Sequence, residues 1–172
     1  MKRLAALPAV FLLASGFTGD PHDLGKKDAA CRTGDNGPAF IVRAVGLKDH
    51  TGNLKLEVYP PNDPDFLGDD DKLVDAGKVF RRVEVPVPAG AQPELCIRVP
   101  APGTYTMVLL HDRNRDHKFH WSTDGIGFAS NPRLGLRQPK AAQARVTAGP
   151  GETRTTIVLN YLHGLGMRPL KG

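Results

Sequence analysis

Short apolar segments of strand length, separated by proline, glycine and aspartate, run through the chain between residues 39 and 161. Residues 54–59 alternate apolar and polar side chains, which is the period-2 pattern of a strand with one buried face. The 15 prolines and 19 glycines stand mostly between such segments. Because these residues interrupt regular structure, they favour many turns over long helices. The pattern predicts a β-rich fold.

Seven segments are predicted to be strands: 39–45, 54–59, 78–87, 95–99, 104–110, 143–147 and 153–161. The turn sequences between them predict three hairpins, which pair the first segment with the second, the fourth with the fifth and the sixth with the seventh. About seven strands without an amphipathic helix indicate an all-β fold, a single antiparallel β-sandwich. Periodicity does not choose between immunoglobulin-like and transthyretin-like topologies.

The first sixteen residues have the three parts of a secretory signal peptide. Lys2 and Arg3 form a positive start, residues 4–13 are apolar, and small residues at 14–16 precede Phe17. The apolar part is too short to span a bilayer as a stable helix. We therefore expect cleavage near residue 16, a periplasmic or secreted bacterial protein, and no stable membrane insertion. An uncleaved membrane anchor is the alternative.

The expected mature chain has two parts. Residues 17–37 are polar, rich in Gly and Asp and without periodicity, which predicts a flexible N-terminal lead-in. Residues 38–172 form the predicted β-sandwich domain. Cys31 and Cys96 are an even count in a compartment expected to be oxidising, so we expect one disulfide between them. Two free thiols are the alternative.

The charge of the chain argues against nucleic acid as a partner. The formal net charge is +5, and removing Lys2 and Arg3 leaves +5 − 2 = +3. The remaining Lys and Arg residues are scattered among Asp, whereas nucleic-acid binding needs a clustered cationic stripe. We expect an envelope protein or a glycan as the ligand, if the domain binds one.

Residues 111–124, HDRNRDHKFHWSTD, follow an apolar strand directly and are typical of a calcium loop. Asp112, Asn114 and Asp116 occupy positions 1, 3 and 5 of a D-x-N-x-D motif, and alternating oxygen-bearing side chains can converge on one hard cation. With Asp124 as a fourth ligand, these residues form the predicted metal site, and calcium is the candidate ion.

Three features of the loop weaken this interpretation. His117 stands at the sixth position, where calcium loops have glycine, and Thr123 stands at the twelfth, where they have glutamate. Arg113, Arg115 and Lys118 also bring positive charge close to the ion. The alternative is a metal-free loop in which Asp and Asn side chains accept hydrogen bonds from nearby backbone amides.

Other sites are less well marked. His111, His117, His120 and the distant His163 suggest zinc, but their spacing matches no zinc motif. The acidic stretch 63–75 is interpreted as a solvated loop. The sequence has no G-x-S-x-G elbow, no H-E-x-x-H helix and no phosphate loop, so no catalytic residue is predicted. An enzyme with a site near His111 and Asp112 is the alternative.

Residues 102–119, PGTYTMVLLHDRNRDHKF, resemble the core pattern P-G-x-Y-x5-H-D-x-N-x-(N/D)-x-K-(L/F) of an exported bacterial family. It is the family catalogued as domain of unknown function 2141. Residues 124–132 and 161–169 are similar to further segments of that family, so the resemblance covers roughly residues 38–169. It implies export and a β-rich domain. Many members have Gly at position 117 and Asp at position 120, where this chain has histidines.

From the sequence we expect a non-catalytic binding or structural module of the bacterial envelope. The predicted export, the rhythm of the strands and the missing catalytic motifs lead to this interpretation. A calcium-dependent module that uses Asp112, Asn114 and Asp116 is the second hypothesis. The ligand, the oligomeric state and the biological role are not determined by the sequence.

Overall fold

The computed structural model describes residues 21–89 and 92–170. The predicted signal peptide, residues 1–16, lies outside these ranges. Within them, no helix combines the length and the hydrophobicity needed to span a membrane.

Two packed sheets make up the described part of the chain, and this confirms the predicted all-β sandwich. The strands are β1 (Ala39–Val45), β2 (Asn53–Tyr59), β3 (Arg81–Pro86), β4 (Glu94–Arg98), β5 (Gly103–Asp112), β6 (Gly125–Phe128), β7 (Arg145–Ala148), β8 (Glu152–Val158), β9 (Asn160–His163) and β10 (Gly166–Pro169). One short α-helix, α1 (Asp70–Asp75), lies between β2 and β3, and 3-10 turns form at Pro21–Asp23 and Ala141–Gln143.

The small sheet has the strand order β4-β1-β8 and the large sheet the order β10-β9-β6-β5-β2-β3. Strand β5 is ten residues long and has two partners along one edge. Its first half pairs with β7 and its second half with β6. The pairing is antiparallel except between β1 and β8, which run parallel. The sequence predicts an antiparallel sandwich, and this one parallel pair departs from the prediction.

All seven predicted strand segments contain strands, but the three predicted hairpins are wrong. In each predicted pair, one strand belongs to the small sheet and the other to the large sheet: β1 and β2, β4 and β5, β8 and β7. A turn sequence shows that the chain reverses, but the chain also reverses where it crosses from one sheet of a sandwich to the other. The unpredicted strands β6 and β10 have four residues each, and both begin with glycine.

The core between the sheets comes from every second residue of the central strands, as expected for half-buried strands. Leu54, Leu56 and Val58 of β2 and Met107 and Leu109 of β5 are fully buried on this side. They belong to one apolar cluster with side chains of the small sheet, among them Phe40, Val42 and Ile97. Burial of this apolar area is the main stabilising contribution to the fold.

The outer face of the large sheet is also covered. A second apolar cluster forms there under the β2–β3 connection and the β6–β7 connection: Tyr59, Phe66, Leu73, Phe80, Val108, Phe128, Ala141 and Ala144. The polar residues of β2 on this face are therefore buried and paired. Glu57 accepts hydrogen bonds from Arg82 Nε and from Tyr59 Oη, each at 2.7 Å.

The acidic stretch 63–75 is part of this covering layer, which differs from the predicted solvated loop. Its second half forms helix α1, and the Asp70 carboxylate accepts a hydrogen bond of 2.6 Å from Arg82 Nη2. Arg82 is only 7% exposed, so it needs the carboxylates of Asp70 and Glu57 to balance its buried charge.

Residues 21–37, the described part of the lead-in, lie against the sandwich, where composition alone predicts a flexible segment. The expected disulfide between Cys31 and Cys96 is confirmed and joins this segment to β4 across a separation of 65 residues. The carbonyl of Ala29 accepts a hydrogen bond of 2.9 Å from the backbone N–H of Arg98. In the same segment, the His22 ring stacks on the ring of His117 in the 111–124 loop with centroids 4.1 Å apart, and Lys26 Nζ lies 3.7 Å from Glu84 of β3.

Candidate functional site

The 111–124 loop joins β5 to β6, two antiparallel neighbours in the large sheet, so its ends lie side by side. Asp112 is the last residue of β5, and Asp124 directly precedes β6. Their side chains are almost completely buried, with exposures of 0% for Asp112 and 1% for Asp124. A buried carboxylate is stable only when hydrogen bonds or opposite charges replace the water that it loses.

Asp112 obtains these hydrogen bonds from the loop backbone. Its Oδ1 accepts the N–H of Arg115 at 2.8 Å and that of Asp116 at 3.3 Å, and its Oδ2 accepts the N–H of His117 at 2.8 Å. Arg115 and His117 adopt left-handed backbone conformations, with φ of 61° and 64°. Non-glycine residues rarely adopt this conformation, because it crowds Cβ, so the bonds to Asp112 help to hold it.

Asp124 binds the loop near its start and in its second half. It accepts the N–H of Arg113 at 3.0 Å and that of His120 at 2.8 Å. The Arg113 guanidinium donates to Asp49 on the β1–β2 connection and, over 2.9 Å, to the carbonyl of Thr123. Hydrogen bonding to Arg113 holds the pKa of Asp49 well below its usual range. The loop is thereby attached to the neighbouring connection.

The other two predicted metal ligands bond to each other and to the loop. Asp116 accepts the backbone N–H of Lys118 at 3.0 Å and the side-chain amide of Asn114 at 2.8 Å. His120 Nε2 lies 2.7 Å from the same carboxylate. The backbone N–H of Lys118 contributes most to lowering the pKa of Asp116. All four predicted ligands therefore take part in hydrogen bonds within the loop.

Beneath the loop, the His111 side chain is fully buried in a chain of hydrogen bonds. Its Nε2 lies 2.8 Å from the carbonyl of Thr51, and its Nδ1 lies 2.7 Å from Tyr161 Oη, which also accepts the N–H of Lys48 at 3.1 Å. A carbonyl can only accept, so Nε2 carries the proton and Tyr161 donates to Nδ1. Burial lowers the pKa of His111 and raises that of Tyr161 to about 12. Burial therefore favours the neutral form of the His111 ring.

A second polar cluster lies beside the loop. In the described part of the chain, one group of His, Asp and Glu side chains has ligand atoms that all lie within 4.8 Å of one another: Glu84, Asp112 and His117. His117 Nδ1 is 3.0 Å from Glu84 Oε1. Lys26 Nζ lies 3.7 Å from Glu84, and Lys55 donates to the carbonyl of His117, so two ammonium groups near the cluster offset the negative charge of Glu84.

The electrostatics of Glu84 reflect this balance. Burial raises its pKa, but hydrogen bonding to Asn53 and the nearby His117, Lys26 and Lys55 outweigh burial and lower it. The sequence analysis missed Glu84 because it lies on β3, far from the loop in sequence. It reaches the loop because Lys55 of β2 pairs with Glu84 on one side and with Leu110 of β5 on the other.

The histidines of the zinc hypothesis are not brought together. His111 bonds to Tyr161, His117 faces Glu84, and His120 faces Asp116. His163 ends β9 and is exposed.

An apolar cavity of about 280 Å³ opens beside the loop, and we call it the aromatic groove. Its lining includes Phe119, Trp121, Phe128, Leu134, Leu136 and Met167. The loop supplies the first two of these, which are 41% and 46% exposed, and Leu136 is 69% exposed. A neighbouring cavity of about 650 Å³ shares Leu134, Leu136 and Met167 with the groove. The sequence analysis did not predict this groove.

A family model described as an uncharacterized protein conserved in bacteria, domain of unknown function 2141, matches residues 42–156. The chain belongs to this family. No curated protein and no solved structure matches this chain. The matched residues of this DUF2141 chain include the whole 111–124 loop, which confirms the resemblance found in the sequence.

The segment after the loop, which is similar to a further segment of the DUF2141 family, contains two glycines in β6, Gly125 and Gly127, and the packing of the sheet requires both. A Cβ on Gly125 would lie 2.4 Å from the Tyr161 ring, and one on Gly127 would lie 2.5 Å from Ile157 Cγ2. Both contacts are too close for any side chain. Gly125 therefore lets β6 pack closely against Tyr161, which reaches His111 from β9, and Gly127 lets it pack closely against Ile157 of β8.

We predict that the free energy of unfolding of this DUF2141 protein falls as the pH is lowered from about 7.5 to about 5, and that His111→Gln reduces this fall. The pKa of His111 is lowered in the folded state. Above its ordinary value of 6.5, the imidazole is neutral in both the folded and the unfolded chain, so its titration does not reduce the free energy of unfolding. Below that value the unfolded chain takes up a proton that the folded chain excludes, which destabilises the fold by at most about 1.4 kcal/mol per pH unit.

Urea denaturation at several pH values measures this effect. His163→Gln, which removes an exposed histidine at the end of β9, away from the hydrogen bonds of the loop, is the control and should keep the wild-type pH dependence. Equal pH dependence in His111→Gln and wild type would show that His111 does not titrate on unfolding.

Proposed function

We propose that this chain is an exported, non-catalytic binding module of the bacterial envelope, and that its ligand binds in the aromatic groove. The observation that carries the proposal is the exposure of Phe119, Trp121 and Leu136 around one cavity. Single exposed apolar side chains are common on protein surfaces, but a concave, contiguous apolar patch is typical of a ligand-binding surface.

The construction of the loop supports this proposal. Asp112 and Asp124 hold the backbone through hydrogen bonds from the N–H groups of His117, which precedes Phe119 by two residues, and His120, which directly precedes Trp121. A loop held in this way presents its aromatic side chains in a fixed position, so little conformational entropy is lost when a ligand binds.

The state of His111 and Asp112 favours binding over catalysis. Both side chains are fully buried, and all their polar side-chain atoms make hydrogen bonds. Neither residue lines the aromatic groove. A general acid or base must come within hydrogen-bond reach of its substrate, and these two side chains are occupied by structural partners.

Export is supported by two independent features. The chain begins with the charged, apolar and small-residue parts of a signal peptide. The disulfide between Cys31 and Cys96 fits an oxidising compartment such as the periplasm.

The single tryptophan of the chain, Trp121, lies in the groove and is the natural probe for binding. The ligands to be tested are glycan fragments, apolar peptides and lipids. We expect one of these classes to shift the fluorescence emission of Trp121 to shorter wavelength, because the bound ligand displaces water from the indole ring. Leu136→Glu should weaken this binding at least about tenfold, because it places a charge in an apolar contact.

The matched control is Leu162→Glu, which changes an exposed leucine of β9 outside the groove and should bind like wild type. The proposal fails if no ligand class changes the emission of Trp121, or if the two variants lose binding equally.

A calcium-dependent module is a second candidate, and one observation favours it. The left-handed residues Arg115 and His117 and the three amides bound by Asp112 give the start of the loop the turn that a D-x-N-x-D motif needs. In the loop described above, hydrogen bonds from Asn114 and His120 occupy Asp116, so calcium would have to displace them.

Calorimetric titration with calcium up to millimolar concentrations tests this candidate. Binding should release or absorb heat and raise the melting temperature, and Asp116→Asn should weaken it because the ligand set loses a charge. Asp75→Asn, an exposed substitution at the end of α1, is the control. Absence of both heat and a change in melting temperature would eliminate calcium as a ligand.

A further inference from the structure

Three arginines lie around the groove and its neighbouring cavity: Arg137 lines the groove itself, and Arg133 and Arg168 line the neighbouring cavity. All three are exposed. No Asp or Glu among the described residues lines either cavity. This end of the molecule therefore combines apolar surface with uncompensated positive charge.

Five other arginines among the described residues lie within ion-pair distance of a carboxylate: Arg43, Arg82, Arg98, Arg113 and Arg154. Arg43, Arg82 and Arg113 each donate hydrogen bonds to a carboxylate. Within residues 21–89 and 92–170, Arg133, Arg137 and Arg168 have no carboxylate within ion-pair distance. Their charge remains available to an external anion.

The apolar part of this surface extends beyond the groove. Leu165 is 89% exposed, the highest value among the large apolar side chains described, and it lines the neighbouring cavity. It lies in the tight turn between β9 and β10, where Gly164 adopts a left-handed φ of 63°. A leucine at the tip of a hairpin projects outward, so the surface has both a concave and a protruding apolar part.

We propose that this surface, defined by Trp121, Leu136, Leu165 and the three arginines, docks on an anionic lipid bilayer. The inference rests on the proposed binding function and names its partner. Tryptophan favours the headgroup level of a membrane, and arginines close to the surface are attracted to anionic headgroups. A leucine that projects from the protein surface can be buried at the boundary between the lipid headgroups and the acyl chains.

The same features fit other partners less well. A neutral glycan stacks on aromatic rings, but it has no use for three unpaired arginines. An acidic peptide would satisfy the arginines and fill the groove, but it would leave a side chain as exposed as Leu165 in water. A bilayer with anionic headgroups accounts for the arginines, the tryptophan and the protruding leucine together.

Vesicle binding with the purified protein tests the inference. We expect vesicles that contain phosphatidylglycerol to bind the protein in sedimentation and to shift Trp121 emission to shorter wavelength, whereas phosphatidylcholine vesicles should do neither. The variant Arg133→Glu/Arg137→Glu/Arg168→Glu should bind at least about a hundredfold more weakly, since each basic residue at an anionic surface contributes roughly fivefold to the binding constant.

The control is Lys27→Glu/Arg32→Glu/Lys48→Glu, which changes the net charge equally at exposed positions outside both cavities. It should retain most of the binding. A second variant, Leu165→Ser, keeps all charges and should bind several-fold more weakly, because it removes only the apolar contact. Thermal denaturation of each variant checks that these exposed substitutions leave the fold intact.

Three results would overturn the inference: no binding of the wild-type protein to anionic vesicles, equal losses in the two charge variants, or equal binding to both kinds of vesicle. If a glycan or an acidic peptide shifts Trp121 emission and vesicles do not, the groove is still a binding site and only the bilayer is excluded. If no ligand of any class affects Trp121, the proposed function fails as well.

Discussion

Two buried carboxylates, Asp112 and Asp124, determine the shape of the loop between β5 and β6. Each has lost its water, and each recovers hydrogen bonds from backbone N–H groups that would otherwise lack partners in so tight a turn. The dependence is mutual, because these hydrogen bonds offset the unfavourable left-handed backbone conformations of Arg115 and His117. The presentation of Phe119 and Trp121 on the surface depends on this arrangement.

The sequence predicted the strands well and their pairing poorly. Alternation within residues 54–59 depends only on which side chains are buried, and it identified β2 correctly. Pairing depends on which sheet each strand joins, and the reversal between β1 and β2 looks the same in sequence whether it forms a hairpin or crosses the sandwich. No local pattern indicates that β2 is covered on both faces, because its outward residues Lys55 and Glu57 are polar and are buried as an ion pair.

The candidate site was only partly predictable for a similar reason. The spacing of Asp112, Asn114 and Asp116 shows within one short segment, so both a calcium loop and a hydrogen-bonded turn were foreseen. Glu84 and Tyr161 join the site from β3 and β9 through the register of the large sheet, which no local pattern contains. The groove combines the loop with segments that have no periodicity, so it was missed.

We propose that the hydrogen bonds to Asp112 and Asp124 order the loop without a metal ion. Amide hydrogen exchange in the presence of a chelator measures this order. The N–H groups of Arg113, Arg115, His117 and His120 should exchange much more slowly than those of an unfolded chain, and Asp112→Ala should remove the protection of Arg115 and His117 first. Rapid exchange of these four amides in the metal-free protein, with protection appearing only when calcium is added, would contradict it.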